Sequence, residues 1–272
     1  MNRYLRLFRL GNGVIGILGV IVGALAAAGL GAADRWADVA VGCAVVVAFI
    51  AGGNSLNDYI DREIDKAGHP DRPLPMGEIS PRAALRLGIA GLAAASLASL
   101  LISLEVFGLT VMAAAMMVSY ELFLKQRGFV GNVAIALLTG MVFLFGGAVV
   151  GDMFGNAALA VMAALANAGR EVAKDIEDMG SDEGRRTLPM AIGEGRARAV
   201  GAALFLAGVA ASAWPVAAGA FGWGYCVVIV ADAMFIYAAF IIFREAKTAQ
   251  KHAKLAMMAA LVAFVAGVIQ WP

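Results

Sequence analysis

Residues 199–231 run 33 positions without one charged side chain, and shorter apolar runs recur along the rest of the chain. About 20 apolar residues suffice for a helix to cross the hydrocarbon core of a bilayer. Inside that core no water satisfies peptide groups, so each helix must close its own hydrogen bonds. A stretch of 33 is too long for one crossing. Trp214-Pro215 and the glycines between Gly219 and Gly224 break it into two spans. The whole chain is 61% apolar and 15% charged, with a mean hydropathy of +0.82, against about half apolar and a quarter charged for a soluble domain. This is the composition of an integral membrane protein, and the lipid bilayer is the first partner it implies.

Charge-poor segments place spans near 10–32, 38–57, 84–104, 106–123, 129–151, 154–174, 197–217, 223–243 and 254–271. The basic amino terminus and its apolar run look like a secretory signal. The run exceeds twenty residues and further spans follow, so it reads as the first span. With nine spans and a cytoplasmic amino terminus, 20 of the 21 Lys and Arg residues fall on the inner side and only Arg35 lies outside. That one-sidedness predicts a multi-pass protein of the cell membrane with its polar loops in the cytoplasm. No basic run or aromatic platform suggests nucleic acid. Cys43 and Cys226 lie in apolar runs and read as small buried hydrophobes.

At the cytoplasmic end of the second span stands NSLNDYIDREID. Asn54, Asp58, Asp61 and Asp65 occupy offsets 0, 4, 7 and 11, which fall within about 60° of one another on a helix. At the end of the sixth span, in REVAKDIEDMGSDEGRRTLP, Glu171, Asp175, Asp178 and Asp182 repeat those offsets 117 residues later. Arg72-Pro-Leu-Pro-Met76 also has an echo in Arg186-Thr-Leu-Pro-Met190. The stripes lie four spans apart, and four is even, so the repeats are parallel. The expected fold is all-α: two similar four-helix units plus a ninth helix around a central cavity, forming one domain over 1–272.

Solvated interfacial loops also carry acids, but identical spacing twice on one side of the membrane points to a ligand. Converging carboxylates repel unless cations neutralise them. Hard oxygen donors, with His69 and His252 isolated in loops, favour Mg²⁺ over zinc. Mg²⁺ usually completes its shell with substrate phosphates, and Arg62, Lys66, Arg72, Lys125, Lys174, Arg185 and Arg186 offer cations to such a substrate. A diphosphate joined to something that belongs in an apolar cavity is a polyprenyl diphosphate.

Asn57-Asp58-x-x-Asp61-x-x-x-Asp65 and Asp175-x-x-Asp178-x-x-x-Asp182, with the following HPDRPLP and RRTLP, resemble the two aspartate-rich motifs of the UbiA superfamily of intramembrane prenyltransferases. The resemblance implies metal or diphosphate binding by Asn57, Asp58, Asp61, Asp65, Asp175, Asp178 and Asp182, with Asp61, Asp65, Asp178 and Asp182 closest to the chemistry. Asn54 and Glu171 join the metal set from the stripe geometry alone. Residues 120–147 and GREVAKDIED are similar to an archaeal branch of the family. That branch transfers a geranylgeranyl group from geranylgeranyl diphosphate to the free hydroxyl of geranylgeranylglyceryl phosphate. Position beside the stripes makes Lys125 and Lys174 the foremost substrate contacts, with Arg72, Arg62 and Arg186 behind them and Tyr120 assigned alongside. Where the family usually has Tyr-Ser this chain has Tyr120-Glu121, which weakens any role around Tyr120 and leaves Glu121 to pair with Lys125.

An aromatic prenyltransferase acting on a hydroxybenzoate or quinone precursor is the alternative within this class. A transporter is the alternative outside it. Against the transporter stand the parallel repeats and acids placed at helix ends, away from the midplane sites of secondary transporters. Asp232, about eleven residues inside the eighth span, is read as a partner in an interhelical hydrogen bond or, less simply, as a cavity residue.

Overall fold

The structure is a computed structural model and describes residues 2–179 and 187–268. Among these residues there are helices and no strand. Nine helices have fourteen residues or more: α1 (Leu10–Ala28), α2 (Trp36–Ile60), α3 (Pro81–Ser99), α4 (Leu104–Ser119), α5 (Phe129–Val150), α6 (Ala157–Asp178), α7 (Glu194–Ala211), α8 (Val228–Ile241) and α9 (Ala246–Val268). Six segments are long and apolar enough to cross a membrane: Leu10–Ile60, Leu104–Leu124, Phe129–Val150, Glu194–Ala217, Trp223–Ile241 and Ala246–Val268. The chain is therefore a multi-pass membrane protein. Alanine, glycine and serine dilute α3, and charges between Arg170 and Asp178 load the end of α6, so neither meets the same measure.

Local chemistry sets several helix ends. The Ser80 hydroxyl accepts from Ala83 N at 3.3 Å, with Pro81 in the first turn of α3, and Ser103 accepts from Val106 N at 3.1 Å to start α4. The largest boundary shift is in α9. The basic residues from Lys247 to Lys254, read from sequence as a loop, belong to its first turns. Nothing in Ala246–Lys254 breaks a helix, and the charges only delay the hydrophobic signal. Cys226, expected to be buried, is exposed on the 3₁₀ turn Trp223–Val227, where hydrocarbon would serve as well as protein core.

α2 packs on α1 and α3, α4 bridges α3 to α5, and α1 lies against α5. The second half repeats the plan: α6 packs on α5 and α7, and α8 joins α7 to α9. α9 then closes the ring against α6 and α1. Glycine allows the tightest crossings. A Cβ on Gly91 would lie 2.7 Å from the Gly52 Cα, and one on Gly146 would lie 2.6 Å from the Val20 carbonyl oxygen. Gly23 faces that same α5 backbone, and its partner Gly19 faces the Val142 side chain. The buried Asn156 amide donates to the carbonyls of Gly23 at 2.7 Å and Phe143 at 2.8 Å, tying the approach to α6 onto α1 and α5.

Candidate active site

The first acidic stripe straddles the end of α2 and is not carried on one continuous helix. α2 stops at Ile60, Asp61 caps it, and Asp65 opens the one-turn helix Asp65–Gly68. Two main-chain bonds, Asp61 N to Asn57 O at 2.9 Å and Asp65 N to Asp61 O at 2.8 Å, carry the helical spacing across the break. Arg62 turns back at the break: its guanidinium donates to the Tyr59 carbonyl at 2.9 Å and lies over the Tyr59 ring. The sequence reading placed Arg62 against substrate. The structure holds it on the carbonyl and ring of Tyr59 and beside Glu63.

Those carboxylates are buried, with Asp58 at 2%, Asp61 at 7% and Asp65 at 3% exposure. Each has a cation beside it. Arg9 Nη2 lies 2.5 Å from Asp58 and 3.2 Å from the Asn57 amide oxygen. Arg72 Nη1 lies 2.5 Å from Asp65 and 3.8 Å from Asp58. Lys125 Nζ lies 2.5 Å from Asp61 and 3.1 Å from Glu121. The Asn57 amide donates to both Glu121 oxygens, at 3.0 and 3.1 Å. Glu121 is therefore part of the cluster, and it pairs with Lys125 as the sequence suggests.

Two backbone features aim these groups. Tyr120–Leu124 is a π-helical turn, closed by Lys125 N to Tyr120 O at 2.9 Å. The residue it adds to the turn points Glu121 and Lys125 toward α2. Arg9 is the only described non-glycine residue at positive φ, 50°. It ends the amino-terminal helix Arg3–Phe8 and swings its side chain onto Asp58. A left-handed non-glycine residue costs roughly 1–2 kcal/mol, and the buried ion pair offsets that strain. Sequence reasoning counted Arg9 as a topology signal and missed this role. Outside the membrane-spanning segments, the hydrogen bond and charge of Lys66 hold the exposed Glu63 carboxyl below its ordinary range.

In the second stripe, Asp175 and Asp178 close the last turn of α6, and Asn132 from α5 donates to Asp175 at 2.8 Å. Glu171 does not join them. It is buried and paired with its neighbour Arg170, whose Nε also donates to Asn167 at 3.1 Å. Asn54, likewise assigned to the metal set, donates its amide N–H to the Phe8 carbonyl at 2.9 Å, a bond that does not use its Oδ1. Lys174 is exposed on α6. Asp182 and Arg186 lie outside the described residues.

Next to this polar layer lies a cavity of about 460 Å³. Asn12, Asn54, Asn167, Arg170 and Lys254 line it with polar groups, and Phe49, Ile50, Leu138, Met162, Phe205 and Phe264 are among its apolar lining. Asp232 reaches the same cavity and is hydrogen-bonded to the Ser212 hydroxyl at 2.8 Å, the interhelical bond expected of it.

The donors can be tested against a divalent cation. Among the described residues no three acidic, histidine or cysteine side chains close on one point, so they form no all-protein cage. Mg²⁺ rarely needs one, since one or two carboxylates with water and substrate phosphate suffice. Buried carboxylate oxygens, held by cations for which a diphosphate would compete, fit that requirement.

A helical membrane bundle with a mostly apolar cavity and, a turn beyond it on α2, a layer of paired acids and bases suits a prenyl diphosphate, and comparison with known proteins agrees. Residues 17–266 match the UbiA prenyltransferase family, and the chain belongs to that family. It is a prenyltransferase. Relatives called digeranylgeranylglyceryl phosphate synthase are 40% identical in Natronomonas pharaonis, covering 96% of this chain and 95% of the relative, and 40% identical in Thermococcus kodakarensis, covering 93% and 91%. A solved structure described for digeranylgeranylglyceryl phosphate synthase superposes with a TM-score of 0.83 at 31% identity, covering 98% of both chains. A UbiA homologue from Archaeoglobus fulgidus, solved with GPP and Mg²⁺, shares the fold at 17% identity and a TM-score of 0.64, covering 97% of this chain and 99% of that one.

Proposed function

We propose that the protein transfers a geranylgeranyl group from geranylgeranyl diphosphate to the free hydroxyl of geranylgeranylglyceryl phosphate, forming an ether bond. On this reading all nine long helices cross the cell membrane and the aspartate-rich mouth faces the cytoplasm. The observation that carries the proposal is the buried charged layer at the end of α2, one helical turn beyond Asn54, which lines the mostly apolar cavity. The similarity to the archaeal lipid-forming relatives supports the choice of substrates.

Asp58, Asp61 and Asp65 on one side and Asp175, Asp178 and Asp182 on the other would hold Mg²⁺. When bound, it would supply positive charge to the departing diphosphate. Lys125 and Arg72, drawn from the carboxylates that now hold them, bind the diphosphate oxygens and orient the donor with its chain in the cavity. The allylic C–O bond breaks with its electron pair leaving on the diphosphate. Apolar side chains such as Phe49, Leu138 and Phe264 line the space around the prenyl cation and keep water from it. The acceptor oxygen forms the new C–O bond and passes its proton to the departed diphosphate or to a motif aspartate.

The test uses purified protein, geranylgeranyl diphosphate, Mg²⁺, and either geranylgeranylglyceryl phosphate or a hydroxybenzoate as acceptor, followed by product mass and diphosphate release. The expected product carries two geranylgeranyl ethers. Transfer to the aromatic acceptor alone would overturn the proposal.

A further inference from the structure

Lys254 was counted from sequence as a loop charge, yet it lies on α9 and lines the central cavity. It is eight residues inside the cytoplasmic end of α9, and Arg170 is eight residues inside the facing end of α6. At about 1.5 Å per residue both stand roughly 12 Å deep, and α6 packs directly on α9. Asp175 is five residues nearer the mouth than Arg170. The two cations therefore form a level of their own, below the aspartates.

Arg170 is partly buried between the helices, whereas Lys254 is exposed where it opens onto the cavity, and Lys247 on α9 lies 3.6 Å from Glu177 on α6, which sets the two helices at matching levels. Arg170 has its charge met by Glu171, and its Nε and Nη2 are occupied by Asn167 and Glu171. No described residue accepts from its Nη1. Lys254 has no ion pair or hydrogen-bond partner among the described residues. Asp232, the acid that lines the same cavity, is hydrogen-bonded to Ser212. An unmatched ammonium and a free guanidinium edge in one cavity make a site for an anion.

We infer that Lys254 and Arg170 form a phosphate subsite for the acceptor, separate from the diphosphate site at the aspartates. The inference rests on the proposed function, because it takes the acceptor to be a phosphomonoester lipid. A glyceryl backbone holds phosphate and free hydroxyl within three carbons. A phosphate seated on Lys254 and Arg170 would thus leave the hydroxyl pointing up toward the mouth, where the allylic carbon lies. The subsite accounts for selection of a phosphorylated acceptor by a cavity whose walls are otherwise mostly apolar.

The experiment compares kcat/KM for geranylgeranylglyceryl phosphate and for geranylgeranylglycerol, its unphosphorylated form, in wild type and Lys254→Gln. A charge-assisted hydrogen bond is worth roughly ten- to a hundredfold in binding. Lys254→Gln should raise the KM of the phosphorylated acceptor by that factor, leave the KM of geranylgeranyl diphosphate within about twofold, and collapse the preference for phosphate. Lys254→Arg should retain most of the preference. A wild-type preference that Lys254→Gln leaves intact overturns the subsite while sparing the proposed function. A rise confined to the KM of geranylgeranyl diphosphate assigns these cations to the donor and overturns it too. Lower thermal stability with unchanged preference would make Lys254 only a counter-charge for Asp232, which also overturns it. A wild type indifferent to the acceptor phosphate removes both the subsite and the choice of acceptor.

Discussion

Lys125 offers the sharpest test of how the charged layer works, because structure and catalysis ask different things of it. Its side chain is 11% exposed and lies between two carboxylates, Asp61 at 2.5 Å and Glu121 at 3.1 Å, both nearly buried. Lys125→Met removes the shared cation and leaves two negative groups around the Asn57 amide. Breaking a buried ion pair by deleting one partner costs about 3–5 kcal/mol, since the remaining charge is stranded. The single mutant should therefore melt well below wild type as well as lose turnover. Glu121→Gln in the same chain removes one stranded charge and keeps an oxygen to accept from Asn57. The double mutant should then recover most of the lost stability. Transfer should remain at least about a hundredfold down, because no cation has been returned to the diphosphate. Thermal unfolding in detergent and steady-state kinetics with both substrates separate the two effects. A double mutant that regains wild-type turnover along with its stability would reduce Lys125 to a counter-ion of Glu121 and refute its place at the substrate.

Asp61→Ala and Asp178→Ala should each abolish measurable transfer while the protein still inserts and elutes as wild type; turnover near wild type in either would sink the metal assignment, and chelation by EDTA with Mg²⁺ rescue gives an independent check. Arg9→Gly should leave the backbone relaxed, because φ of 50° suits glycine, but should lower kcat/KM by exposing Asp58 to its like-charged neighbours; unchanged kinetics would leave Arg9 a turn residue only. Asp232→Asn should keep transfer activity and stability, since its amide can donate to the Ser212 oxygen while Ser212 donates to the Val209 carbonyl, 2.7 Å away; a large fall in kcat in folded protein would move Asp232 into the reaction. Gly91→Leu should destabilise the fold by well over 1 kcal/mol, because the new side chain meets the Gly52 backbone; a wild-type melting temperature would show that the crossing is looser than described.

What could be read in advance follows from which forces leave a local trace. The helices, the doubled acidic spacing and the Glu121–Lys125 pair were legible because burial in lipid and side-chain periodicity act within a few turns. Contacts that depend on tertiary approach were not. Arg9 and Asp58 are 49 residues apart, and nothing near either residue names the other. The break after Ile60 also escaped, since the spacing of Asn57, Asp61 and Asp65 is the same whether one helix or two carry it. Glu171 shows a related limit: sharing a helix face with a cluster does not bring a side chain to it when a nearer partner, Arg170, is within reach. Lys254 was lost to the rule that charges mark loops. Where a helix begins in headgroups and a cavity admits polar substrate, that rule fails.

The crossing of α2 with α3 runs backbone against backbone, through Gly52, Gly88 and Gly91. Every polypeptide shares the same main chain, so the location of α2, and with it the first aspartate motif, depends hardly at all on which larger side chains decorate α3. Exposed positions such as Ile89 and Leu97 can drift to suit different surroundings without displacing a carboxylate. The enzyme's chemistry is thereby insulated from its solvent: the same reactive geometry can be carried into membranes of very different composition, provided three hydrogen atoms are not replaced by methyl groups.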